Sequence, residues 1–195
     1  MKTIQLENKE FTTRNLRIHE NDLIKNPLKW KISLILISWL TFLSLDLLFH
    51  AGILATLYVQ PNPAILDPEQ AFFRIPIGYL SFLLSVIVFY WLFSFTGVNE
   101  WKNGFIFGLK YSVLIAVAST LAQYSILKVN LVMLIGWGVA QIMEFSMIGG
   151  IIGAAHSGIS LKKICLGVVI LVVITIIYVI ILQNVGLAPP MEIIE

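Results

Sequence analysis

Long apolar runs separated by short polar breaks make up most of the chain, and within each run the apolar residues surround the helix axis instead of lining one face. A run of this kind, near or above the ~20 residues needed to cross ~30 Å of hydrocarbon, predicts a membrane-spanning helix. Five are present, at about 32–58, 75–95, 104–127, 131–155 and 164–182. Strands of an outer-membrane barrel would alternate apolar and polar residues at every second position, and these runs do not. The expected fold class is all-α, a multi-pass transmembrane helical bundle. A polar segment (1–31) precedes the five-helix domain (32–183), and a short tail (184–195) follows it.

The breaks carry their own signals. Asn26-Pro27 reads as a helix start, with Asn as cap and Pro in the first helical position, and Trp30 is expected at the membrane interface. Residues 11–25 are only weakly patterned for a short surface helix. The longest loop, "VQPNPAILDPEQAFFR" at 59–74, contains Asp67-Pro68-Glu69. That triplet predicts a short interfacial helix, set off from the second span by a bend at Pro76. No internal repeat supports an inverted-repeat transporter fold.

Charge adds an orientation. Seven Lys and Arg precede the first span, and with the N-terminus inside, the inner side holds ten and the outer side two. The positive-inside rule then places the N-terminus in the cytoplasm and the C-terminus outside. The location implied is a cell membrane, of the bacterial inner-membrane type. Composition agrees with the pattern: of 195 residues 58% are hydrophobic and 12% charged, too few charges to cover a water-facing surface. A net charge of +2 offers nothing to nucleic acid. The single cysteine, Cys165, permits no intrachain disulfide and no cysteine-based zinc site.

Helices in lipid pack closely through small residues. The third span has one at every fourth position: Gly104, Gly108, Ser112, Ala116 and Thr120. The fourth span repeats the device with Gly149 and Gly153, and with Gly150 and Ala154. At 100° per residue Gly153 points opposite Glu144, so the fourth helix has two occupied faces and belongs in the centre. The fifth span is apolar and β-branched all round and belongs at the lipid-facing edge.

Four ionisable residues fall inside spans: Asp46, His50, Lys110 and Glu144. Charge near the bilayer centre costs ~2.5–3.5 kcal/mol on insertion scales and is a default marker of function. Asp46 and His50 stand at i, i+4, within hydrogen-bonding reach, on a face otherwise made of Trp39, Phe42, Leu43, Ile53 and Leu57. They read either as a proton- or ligand-binding pair or as an internal contact locking the first helix. Gln141 precedes Glu144 by three residues, and these two are the natural candidates to face the pair. Depth argues differently. With Glu144 taken to lie roughly 10 Å from the inner boundary, Lys110 at roughly 9 Å matches it in depth better than Asp46 at roughly 20 Å. Depth therefore pairs Glu144 with Lys110, although the long stem of Lys110 is better suited to snorkelling towards the headgroups.

No HExxH, GxSxG or phosphate-loop motif occurs, and no cofactor or metal is implied. Three functions remain. The first is a small transport-type or ligand- and proton-handling protein using Asp46, His50, Glu144 and Gln141. The second is an accessory subunit docking a second copy or a membrane partner through Gly104, Gly108, Ser112, Gly149 and Gly153. The third, with the least support, is an enzyme acting on lipid-like substrates.

Overall fold

A computed structural model describes residues 26–59, 66 and 68–189. The cap at Asp67, the surface helix in 11–25 and the end of the tail lie outside the described residues. Among those described there are six helices, a π-helical segment and no strands. Helix α1 (Pro27–Leu47) runs through a π-helical segment (Leu48–Ile53) into the short α2 (Ala55–Tyr58). Then follow α3 (Pro68–Ser94), α4 (Trp101–Ile126), α5 (Leu131–His156) and α6 (Leu161–Asn184). Five helices are long and apolar enough to cross a membrane, which gives the chain the form of a multi-pass membrane protein.

Two local expectations change. Helix α1 does begin at Pro27, but the Asn26 side chain makes no capping bond. The helix leading into the second span is not separate: α3 is continuous from Pro68 to Ser94, with Pro76 inside it. Pro76 is exposed, and an interior proline is tolerated in membrane helices.

The molecule is built around α5. On one side α4 packs antiparallel against it, in the most extensive helix contact of the fold. The register is visible at the glycines. A Cβ on Gly104 would stand 2.1 Å from the carbonyl oxygen of Gly149, and one on Gly149 would stand 2.3 Å from that of Gly104. Gly108 meets the Phe145 carbonyl and Gly153 that of Glu100 in the same way. Ser112 and Ala116 continue the buried line, and Gly138 lies against Thr120 and Ala116. With hydrogens where side chains would be, the two backbones come within reach of reciprocal Cα–H···O contacts, worth about 0.5–1 kcal/mol each.

On the other side α1 packs against α5, and also against α3 and α6. A buried bond from Ser44 Oγ to Thr175 Oγ1 (3.1 Å) ties α1 to α6, while most of the α6 surface is exposed aliphatic. Helix α3 is held by rings. Phe89 packs on Phe107, Tyr111 and Phe145 at 5.1–5.7 Å, and Phe42 stacks on Phe82 at 4.5 Å. Trp30, expected at the interface, is buried, its ring 5.5 Å from that of His156. Tyr90 and Phe93 of α3 also face that histidine.

Candidate functional site

An α-helix returns to the same face after seven residues, two turns on, whereas eight residues carry it about 80° further. Tyr58 follows His50 by eight, so a regular helix would turn the two side chains apart. The π-helical segment removes the difference. Its widened turn is closed by the bond from Leu54 N–H to the Phe49 carbonyl, five residues back (2.7 Å), and it absorbs one residue. Tyr58 is thereby brought over His50, and its hydroxyl hydrogen-bonds the imidazole Nδ1. Single π-turns of this type recur at functional sites.

Helix α5 supplies the rest. The indole Nε1–H of Trp137 donates to the Tyr58 oxygen (2.6 Å). Indole nitrogen can only donate, so the tyrosine oxygen accepts there and its own proton is free to point at His50. A neutral His50 then carries its hydrogen on Nε2, which faces Asp46 Oδ1 at 3.5 Å. That distance is long for an N–H···O bond, and the contact is loose. Two turns beyond Trp137 on α5, Glu144 closes the site. Ligating atoms of Asp46, His50 and Glu144 all lie within 4.8 Å of one another. Glu144 is 3% exposed, and among the described residues its Oε1 has no hydrogen-bond partner. Asp46 and His50 are less enclosed, their side chains 17% and 30% exposed.

Of the four polar residues singled out from sequence, three converge and one does not. Gln141 makes no hydrogen bond to the other three. It lines an open groove between α3, α4 and α5 with Leu84, Ser85, Val88, Tyr111, Ile115 and Phe145. Three residues along a helix are still 60° apart in direction, enough to carry Gln141 past the neighbouring helix. Lys110 is exposed and forms no ion pair with Glu144. The depth taken for Glu144 was too shallow: with its span ending at 155 it lies eleven residues, roughly 16 Å, from the inner boundary, not far from the roughly 20 Å of Asp46. Counted from the opposite end, where Leu57 and Tyr58 pack on Val129, Met133 and Leu134, Asp46 and Glu144 are each roughly 18–20 Å along their helices.

Tyr58 and Trp137 were not identified from sequence as part of the site. Aromatic residues near span ends read first as interface anchors, and the register shift that aligns Tyr58 with His50 has no composition signal beyond Gly52 in the turn. The chain matches no protein-family model, no curated protein and no solved structure.

Proposed function

We propose that this is a transport-type membrane protein that takes up and passes on protons or small cations at the site formed by Asp46, His50 and Glu144. The observation that carries the reading is the convergence of three ionisable side chains from two helices within an apolar bundle, one of them a buried carboxylate with an unpartnered oxygen. An internal structural contact would be expected to satisfy that oxygen, because leaving a buried polar group unpaired costs about 1–3 kcal/mol. The tyrosine and indole behind His50 hold its orientation, as a proton-handling imidazole requires.

The accessory-subunit reading loses the surface it relied on, since Gly104, Gly108, Gly149 and Gly153 are covered within the chain. A partner would have to use another face. The orientation proposed for the working protein has the N-terminus in the cytoplasm and the C-terminus outside, on the strength of its Lys and Arg distribution.

The direct test is proton flux into liposomes containing the purified protein, driven by a potassium diffusion potential and read with an entrapped pH dye. Flux above that of protein-free vesicles is expected for the wild type. Asp46→Asn and Glu144→Gln should each reduce it at least tenfold while inserting normally. Unchanged flux in both variants would remove these residues from the function.

A further inference from the structure

We propose that the Asp46–His50–Glu144 site binds a divalent first-row transition-metal ion, through one carboxylate oxygen of each acid and Nε2 of the histidine. The proposal deepens the cation-handling reading above and rests on its choice of site.

Geometry comes first. Metal–ligand bonds of ~2.0–2.1 Å at a tetrahedral angle hold neighbouring ligand atoms roughly 3.3 Å apart. The Nε2 to Oδ1 separation of 3.5 Å is poor for a hydrogen bond but close to that spacing. The remaining separations, none above 4.8 Å, close by small side-chain rotations. Glu144 provides the independent observation. Its carboxylate belongs to the group, it is almost fully buried, and its Oε1 has no partner among the described residues. A cation seated between the three residues would give that oxygen one.

Charge and donor type then select the ion. Two carboxylates and a neutral imidazole sum to −2, so a divalent ion leaves the set neutral, the cheapest state for a group withdrawn from water. Magnesium and calcium prefer shells made wholly of oxygen, whereas an imidazole nitrogen favours zinc and its transition-metal neighbours. Three protein ligands also leave a position for water or for exchange, unlike the closed four-ligand shells of structural zinc sites.

The contacts behind His50 suit either state. When Nε2 gives its lone pair to a metal, the imidazole hydrogen resides on Nδ1 and points at the Tyr58 oxygen. That oxygen has two lone pairs, one for Nδ1–H and one for the Trp137 N–H, and the tyrosine hydroxyl turns away. Ligating histidines commonly have such an outer partner, and losing it costs 10–100-fold in affinity.

The test uses the full-length protein in detergent, freed of metal with a chelator and titrated with Co²⁺, whose visible d–d absorption reports ligation. A saturable band is expected, displaced by Zn²⁺ but not by excess Mg²⁺. Asp46→Asn, His50→Gln and Glu144→Gln should each weaken binding at least tenfold. Tyr58→Phe should weaken it about tenfold with all three ligands present. Helical circular dichroism and a monodisperse elution profile establish that each variant is folded. Cys165→Ser and His156→Gln should leave the band unchanged. No band in the wild type, or one that survives in folded variants of all three ligands, overturns the proposal. Absent Co²⁺ binding with proton flux intact overturns the metal site alone. Co²⁺ binding without wild-type proton flux overturns proton transfer and supports the metal.

Discussion

Glu144 is the residue with most at stake. A carboxyl group held inside a bundle with an unpartnered oxygen is a standing cost to the fold, and natural sequences keep such costs where function needs them. Glu144→Met, similar in volume and without the polar oxygens, should therefore stabilise the detergent-solubilised protein by about 1–3 kcal/mol while abolishing flux. A lower melting temperature would show instead that the carboxylate has a structural contact. Trp137→Phe should keep the packing of the ring but leave the Tyr58 oxygen with one donor fewer. Reduced flux at near-native melting temperature is expected. At this scale Asp46, His50 and Glu144 were legible because charge in an apolar run is conspicuous. Tyr58 and Trp137 were not, since aromatics abound in membrane spans and their roles depend on which neighbours they meet.

Among the helices, the α4–α5 pair and α3 show two ways of being held. The first pair touches backbone to backbone, so each glycine in the seam is irreplaceable by size: a methyl group at Gly104 or Gly149 would overlap a carbonyl oxygen. Gly104→Ala and Gly149→Ala should each destabilise by about 1–3 kcal/mol, the usual cost of overpacking. Among the described residues, nothing lies within 4 Å of the position a Cβ would take on Gly78 in α3 or Gly167 in α6. Alanine at either should be neutral or stabilising by up to ~1 kcal/mol. Thermal unfolding of the four variants in one detergent checks the contrast, and equal losses at all four would refute the assignment of the seam. The four-residue period of small side chains in α4 was plain in the sequence. The separate helix expected before Pro76 was not read correctly, because an interior proline need not end a membrane helix.

For the molecule as a whole, length and hydropathy were enough for a bundle of five long apolar helices, since the thickness of hydrocarbon leaves few alternatives. Neighbour relations needed the structure. That α1 meets α5 follows from side-chain fit along both helices, and no single-helix pattern encodes it. Orientation is a property of the whole chain as well, set by where its cations accumulate. A periplasmic-type reporter such as alkaline phosphatase, fused after the last helix in a bacterial host, should be active, and a cytoplasm-dependent reporter at the same point silent. The opposite pair of results would invert the assignment.

The widened turn at Leu48–Ile53 also bears on how kindred sequences are to be found. An inserted residue that is absorbed locally leaves the contacts on either side of it in place, so the same site can be written at two lengths. In this chain aspartate, histidine and tyrosine are spaced by four and then eight residues. A relative lacking the insertion would carry them at four and seven on an ordinary helix. A search that fixes the eight-residue gap would pass over it, whereas one that allows either length, and asks for an acidic residue one turn pair beyond a tryptophan in a later span, would recover both spellings of the same arrangement.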